Sequence, residues 1–226
     1  MARDQIYLND QTYAYLMAVS DRETPVLAKL RAETKKLALG FWQVPATEGQ
    51  FLHVMVKLLR PMRVLEVGTF TGYSSISMAT ALPPGGTILC LDISKEFTDI
   101  AQRYWKEAGV ADRIALRLGK GVELMDQLIA EKQAGSYDLV FIDANKDDYD
   151  AYYERALVLA KKGALIAIDN TLFDGRVVGQ NLEGLKDWQI AFTEALKVFN
   201  AKLHKDKRVA LSMIAVGDGI TLCVKE

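Results

Sequence analysis

Leu65-Glu66-Val67-Gly68-Thr69-Phe70-Thr71-Gly72-Tyr73-Ser74 reads as the end of a β-strand, a glycine loop and the start of a helix. At the first strand of a parallel sheet, such a junction points helix N–H groups into the crevice along the sheet's carboxyl edge. Gly68 and Gly72 carry no Cβ, so a ligand can approach the backbone closely. A bound ligand is expected at this loop.

Outward from the loop, short Val-, Ile- and Leu-rich runs alternate with segments of helical periodicity, the pattern of βα units and a mostly parallel sheet. Strands are predicted at 63–67, 87–92, 113–118, 137–142 and 164–168, with helices at 72–81, 95–108, 122–133 and 148–159. Ser94 is placed as an N-cap and Gly109 as a C-terminal stop. After a helix at 185–203, the runs 209–216 and 220–225 flank Gly217-Asp218-Gly219. Asp-Gly supplies the positive φ of a tight hairpin, so the sheet should finish with an antiparallel strand. Three helices precede the first strand, at 10–19, 25–39 and 48–59. Thr24 stands before Pro25, Gly40 closes the second helix, and Thr47 with Gln50 forms a capping box. The apolar positions of these helices, among them Leu16, Leu27, Leu30 and Leu37, suit a core face, a dimer face or a lid.

The fold class is therefore α/β, a single Rossmann-like domain over 1–226 with helices on both faces of the sheet. The 226 residues, 50% hydrophobic, suffice for one large core. No internal repeat or linker is visible. Lys and Arg number 28 against 29 for Asp and Glu, and the most basic stretch, 202–208, is interrupted by His204 and Asp206. Without a polybasic surface, nucleic acid is not an expected partner. Residues 1–10 mix charged and polar groups rather than forming an apolar run of about 7–15. No later run nears the roughly 20 apolar residues that span a bilayer, so a soluble, cytoplasmic protein is expected. Cys90 and Cys223 lie in apolar strand runs and read as buried thiols. With only His53 and His204, a His-rich zinc site is excluded and a Ser-His-Asp hydrolase is disfavoured.

Two cofactor readings compete, because Asp92 ends the second strand where either a dinucleotide or S-adenosylmethionine would place ribose hydroxyls. The loop Gly68-Thr69-Phe70-Thr71-Gly72 lacks the second glycine of Gly-x-Gly-x-x-Gly, which a pyrophosphate needs for close approach. The negative charge of Glu66 would repel a pyrophosphate and suits the cationic end of S-adenosylmethionine. S-adenosylmethionine fits better. An NAD(P)-dependent oxidoreductase is the alternative, and a tight turn with a buried or capping Glu the purely structural reading.

Strand four ends Phe141-Ile142-Asp143-Ala144-Asn145-Lys146 and strand five ends Ile166-Ala167-Ile168-Asp169-Asn170. Their carboxyl ends share the ligand edge, so Asp143, Asp169 and Asn170 should converge. Such hard oxygens suit Mg²⁺, Mn²⁺ or Ca²⁺. Each taken singly is as readily a cap or a turn; together they favour a cation. Lys146 either acts as a base beside them or is a surface lysine at a helix start.

Glu-Gly-Gln-Phe-Leu at 48–52, the loop at 65–75, Phe-Ile-Asp-Ala-Asn-Lys at 141–146 and Asp-Asn-Thr-Leu-Phe at 169–173 together resemble the metal-dependent O-methyltransferases of the caffeoyl-CoA and catechol type, closest to the bacterial relatives of the caffeoyl-CoA branch. The resemblance implies a seven-stranded sheet in the order 3-2-1-4-5-7-6 with strand seven antiparallel. It implies that Glu66, Gly68, Ser74, Asp92 and the backbone near Val44 and Gly121 contact S-adenosylmethionine, with Asp143 at the same point. It places the metal on Asp143, Asp169 and Asn170, the general base at Lys146, and Phe173 where many relatives carry a Trp beside the substrate. Asn145 replaces an Asp common in plant relatives, lowering the negative charge near the metal. A homodimer is also implied. The expected reaction is cation-assisted methylation of one hydroxyl of an aromatic vicinal diol, such as caffeic acid or caffeoyl-CoA, with Lys146 taking the proton.

Overall fold

The computed structural model describes residues 9–20 and 22–226. Residues 1–8, which make up most of the polar opening segment, lie outside them. Seven strands, β1 (Arg63–Val67), β2 (Thr87–Asp92), β3 (Ile114–Leu118), β4 (Tyr137–Ile142), β5 (Ala160–Ile168), β6 (Val209–Ile214) and β7 (Ile220–Lys225), form one sheet. Its order is β3-β2-β1-β4-β5-β7-β6. Strands β1 to β5 pair in parallel, and β7 runs antiparallel to both β5 and β6. The strand order reverses between β1 and β4, which opens a crevice at their carboxyl ends.

The central strands β1 and β4 and the second half of β5 are largely apolar because both of their faces are covered. Val64, Ile88, Phe141 and Leu165 pack with Ile76 and Met78 of α4 (Tyr73–Ala79) and with Ala101 and Trp105 of α5 (Lys95–Glu107). Their neighbours Leu65, Leu91, Val140 and Ile166 point the other way. They meet Leu128 of α6 (Gly121–Ala130), Tyr153 of α7 (Tyr149–Leu159) and Phe199 of α8 (Asp187–Lys205). Each large apolar side chain so buried contributes about 1.5–3 kcal/mol. Helices α1 (Asp10–Ser20), α2 (Pro25–Thr34) and α3 (Ala46–Leu59) precede β1. Among the described residues, no helix is long and apolar enough to cross a membrane. Cys90 and Cys223 are buried free thiols.

Several boundary signals act as expected. The Ser94 hydroxyl accepts the Phe97 N–H at 3.3 Å at the start of α5, Gly109 takes φ +68° beyond its end, and Thr24 accepts the Leu27 N–H ahead of Pro25. Others do not. Helix α2 ends at Thr34, well before Gly40, because the Thr34 hydroxyl is drawn into the interior: it donates to Thr71 at 2.9 Å and accepts from Gln43 at 3.1 Å. Gly40 instead opens a 3-10 turn, where a Cβ would lie 2.3 Å from the Thr34 carbonyl oxygen. The capping box of Thr47 and Gln50 is absent, since α3 starts two residues earlier, at Ala46, and the Pro45 carbonyl takes the Glu48 and Gly49 N–H groups, each at 3.0 Å. Strand β5 begins at Ala160, directly after α7.

The β6–β7 connection also differs from a tight Asp-Gly turn. Gly217 and Gly219 take the positive φ angles of 56° and 85°. Asp218 is occupied elsewhere: its side chain accepts the Asp174 N–H at 2.5 Å and its carbonyl the Leu172 N–H at 3.0 Å. This connection is thereby docked onto the loop that follows β5.

Candidate active site

A cavity of about 2160 Å³ opens at the carboxyl edge of the sheet. Val44, Gly68, Asp92 and Gly121 line it on the glycine-loop side, and Asp143, Lys146, Asp169, Asn170 and Phe173 on the side of β4 and β5. All of these predicted site residues are therefore brought together. Glu66 and Ser74 are not among the lining residues. They are bonded to each other behind the loop, Ser74 Oγ donating to Glu66 at 2.7 Å.

The loop's geometry explains both its glycines and its glutamate. A Cβ on Gly68, at φ +91°, would lie 1.9 Å from the Asp143 carbonyl oxygen. One on Gly72 would meet Ala101 and Trp105 of α5 at 2.7 and 2.8 Å. The two glycines thus serve first the packing of β1 against β4 and of α4 against α5, and only Gly68 of the pair borders the cavity. Glu66 is wholly buried, accepting also from the Cys90 thiol at 3.1 Å, and burial pushes its carboxyl up to about 8. The carboxyl therefore holds its proton at neutral pH, and the argument from its negative charge loses its ground. Asp92 gathers the loop instead: one oxygen accepts the Thr69 and Phe70 N–H groups, each at 2.8 Å, and the other the Ser94 N–H at 2.7 Å. The rim beside it is aromatic, with Trp42 packed on Phe70 and Phe70 on Phe97.

The opposite wall carries the charge. Lys146 is buried, with its ammonium donating to Asp143 at 3.0 Å and to the Tyr149 hydroxyl at 2.7 Å. That hydroxyl in turn donates to the Asp169 backbone carbonyl at 3.0 Å. The reading of Lys146 as a surface lysine is overturned by this burial. Asp169 is itself buried and accepts the Asn170 N–H at 2.6 Å; burial first, then the neighbouring Asp143, pushes its carboxyl up to about 8. Asn170, at φ +55°, turns the chain out of β5. Asn145 spends its amide locally, donating to Asp148 and accepting from Tyr152 at 2.6 Å.

Sequence reasoning placed Glu48 at the start of a helix and within a motif that carries the resemblance, and gave its carboxyl no role. In the fold it is completely buried beside Asp169, and burial together with Asp169 and Asp143 raises its pKa well above the ordinary range. Nothing in a helix-start pattern tells a solvated Glu from one aimed inward. Tyr149 was likewise missed, as were Arg176, Trp188 and Phe192 beside Phe173. Phe192 lies between Phe173 and Trp188, with centroids 6.3 and 5.4 Å away.

The donor chemistry here fits a hard divalent cation: Asp143 and the buried Asp169, whose carboxyl groups repel each other, with an amide side chain at Asn170. Among the described residues, no three His, Cys, Asp or Glu side chains are spaced as a ready-made metal cluster. A set of two carboxylates and an amide is consistent with that.

Residues 17–226 match the O-methyltransferase family. The chain belongs to the O-methyltransferase family. Curated relatives include the caffeoyl-CoA O-methyltransferase of Eucalyptus gunnii, 39% identical over 95% of this chain and 87% of that one. Caffeoyl-CoA O-methyltransferase 1 of Zea mays is 40% identical over 95% and 84%. Among solved structures, the O-methyltransferase TomG of Streptomyces achromogenes, in complex with S-adenosylmethionine, superposes with a TM-score of 0.81 at 30% identity and covers 94% of each chain. The methyltransferase PaMTH1 of Podospora anserina, bound to S-adenosylhomocysteine, gives 0.87 at 25% identity over all of both chains. Of the two cofactor readings of the glycine loop, the family supports methyl transfer rather than the nicotinamide alternative.

Proposed function

We propose that the protein transfers a methyl group from S-adenosylmethionine to one hydroxyl of an aromatic vicinal diol, a catechol-type phenolic such as caffeic acid or caffeoyl-CoA, with the help of a divalent cation. Supporting the cofactor are the family and the S-adenosylmethionine and S-adenosylhomocysteine held by relatives of the same fold. The acceptor chemistry rests on one observation: Asp143, Lys146, Asp169, Asn170 and Phe173 share the cavity that the glycine loop borders.

In this reading Val44, Gly68, Asp92 and Gly121 seat the cofactor, with Glu66 and Ser74 bracing the loop from behind. Asp143, Asp169 and Asn170 would hold the cation, Mg²⁺ first and Mn²⁺ or Ca²⁺ as alternatives. When bound, it supplies Lewis-acid stabilisation of a phenolate oxygen, and its open positions favour acceptors with two adjacent oxygens. Phe173 offers a face to the acceptor ring. Lys146 Nζ is the group placed to take the phenol proton, with Asp143 and Tyr149 fixing that nitrogen in place. The phenolate oxygen then forms a bond to the methyl carbon as the carbon–sulfur bond breaks, releasing S-adenosylhomocysteine. Holding both reactants in line contributes up to about 7–11 kcal/mol in the best intramolecular cases. A homodimer and a cytoplasmic setting belong to the same proposal; light scattering checks the first.

The test is a panel of catechols and their mono-methyl ethers, scored for S-adenosylhomocysteine with Mg²⁺, Mn²⁺ or Ca²⁺ and with EDTA. Catechols should turn over only with a cation, and isolated phenols not at all. Equal methylation of isolated phenols, or full activity in EDTA, refutes the diol and cation assignments. Lys146→Met should lower kcat by about 10²–10⁴-fold.

A further inference from the structure

The loop after β5 holds a cation that the methyl-transfer reading does not use. Arg176 follows Gly175 in that loop, and its guanidinium lies over the Phe173 ring, 4.8 Å from the centroid. The side chain is only 15% exposed and lines the same cavity as Lys146, Asp169 and Phe173. Of its five N–H donors, one is engaged: Nη2 donates to Asp174 at 3.2 Å, a long contact to a carboxylate that is itself mostly exposed. Nε is buried with no acceptor. A guanidinium presents a fixed fork of donors shaped for a planar oxyanion, and a nearly buried one left this far short of acceptors is costly unless something supplies them.

Backbone strain on the same loop points the same way. Asn170, Phe173 and Asp174 have φ angles of 55°, 47° and 54°, all in the left-handed region that non-glycine residues avoid. Strained residues persist where the surroundings hold them, and they cluster at ligand clamps. Here the hold comes from the β6–β7 connection, through Asp218 to Asp174 and Leu172, and from Asn181, whose amide donates to the Asp174 carbonyl at 2.9 Å. The result is an aromatic wall of Phe173, Phe192 and Trp188 topped by a positive charge with spare donors. Catechol rings alone need only the wall.

We infer that Arg176 is a specificity residue that binds an anionic oxygen group on the acceptor, so that the preferred substrates are catechols carrying a negatively charged tail. This rests on the methyl-transfer reading for the identity of the acceptor, but its test reads binding rather than turnover, so the two can fail separately. The anion is either a ring-side carboxylate, as in a free hydroxycinnamic acid, or a phosphate of a CoA ester, and the ligands chosen separate these sources.

The experiment titrates caffeate, caffeoyl-CoA and the neutral methyl ester of caffeic acid into wild type, Arg176→Ala and Arg176→Lys by calorimetry, each protein saturated with S-adenosylhomocysteine. Loss of a charge-assisted contact should weaken binding of an anionic acceptor by about 10- to 100-fold in Arg176→Ala. The methyl ester should bind all three proteins alike. Arg176→Lys keeps the charge but not the fork and should recover part of the loss. A deficit confined to caffeate names the carboxylate as the anion, and one confined to caffeoyl-CoA names the phosphate. If the methyl ester loses as much as the anionic ligands, Arg176 merely props Phe173 and the inference is wrong. It is equally wrong if no ligand responds. Thermal melting of each variant in the same buffer shows whether the loop still folds; a melted Arg176→Ala leaves the decision to Arg176→Lys, for which wild-type affinities for both caffeate and caffeoyl-CoA, each taken relative to the ester, overturn the idea.

Discussion

The glycine loop and the acidic wall face each other across one cavity, yet they are built on opposite principles. Around the loop, polar groups are mostly satisfied internally: Asp92 absorbs three backbone N–H groups and Glu66 takes the Ser74 hydroxyl and the Cys90 thiol. On the side of β4 and β5, burial and mutual repulsion raise the carboxyls of Glu48 and Asp169 together, that of Asp169 to about 8. Buried groups that repel each other are expensive, and a fold keeps them where a ligand offsets the cost. The contrast teaches that the loop is a prebuilt frame whose residues act mainly on stability, whereas the wall is tuned for chemistry.

The sharpest way to break this division is Asp143→Ala. It removes the carboxylate that contacts Lys146 and, in the proposed reading, the cation. Methylation of caffeic acid should fall toward the uncatalysed background, consistent with the several kcal/mol that Lewis-acid stabilisation contributes. Folding stability should change far less, because the side chain is part of the cavity wall. Activity retained with this variant, together with wild-type activity in EDTA, would mean that the wall has been misread.

Glu66→Gln probes the frame, and its signature is a slope. The Glu66 carboxyl lies at about 8 in the folded protein against an ordinary 4.5. Below about 4.5 both folded and unfolded chains hold the proton. Between 4.5 and about 8 the unfolded chain has lost it and the folded one keeps it, so each unit of rising pH costs the folded state about 1.4 kcal/mol from this group. Above about 8 both states are ionised and the penalty is constant. A glutamine has no proton to lose. Urea unfolding of Glu66→Gln should therefore show a shallower decline of stability between pH 5 and 8 than wild type. Some slope should persist, since Asp169 titrates in the same window. Identical slopes would mean that Glu66 has lost its proton in the folded state as in the unfolded one, and the burial argument would fall.

Much of this was legible in the chain. The apolar runs of β1, β4 and β5, the Ser94 cap and the motifs at 65–75, 141–146 and 169–173 follow from local pattern, and site residues of all three motifs do meet at one edge. What was not legible depends on distant partners. The end of α2 at Thr34 is set by a hydroxyl reaching Thr71, the β6–β7 turn by Asp218 holding the Asp174 N–H, and the neutral state of Glu66 by burial that no charge count reveals. Glu48 and Arg176 were overlooked for a common reason. A charged residue in a polar stretch is read as solvated, and only the packed fold shows it turned inward.

The smallest effect separates the two uses of glycine that the loop and the helix ends share. Gly68 and Gly109 both take positive φ, 91° and 68°, but a Cβ at Gly68 meets the Asp143 carbonyl oxygen at 1.9 Å while one at Gly109 meets nothing within 4 Å. Gly109→Ala should therefore lose only the conformational cost of a left-handed alanine, about 1 kcal/mol. Gly68→Ala carries that same cost plus a backbone clash that must push β4 away from β1, so its loss should exceed about 3 kcal/mol. The difference between the two, measured by urea unfolding of both variants at one pH, is the contribution of close packing alone. Activity adds a second reading: displacing the Asp143 backbone should lower turnover in Gly68→Ala even where the protein remains folded, while Gly109→Ala should methylate at the wild-type rate. Equal losses in stability would show that the loop yields to a side chain as easily as an exposed helix end, and the prebuilt frame would then be no frame at all.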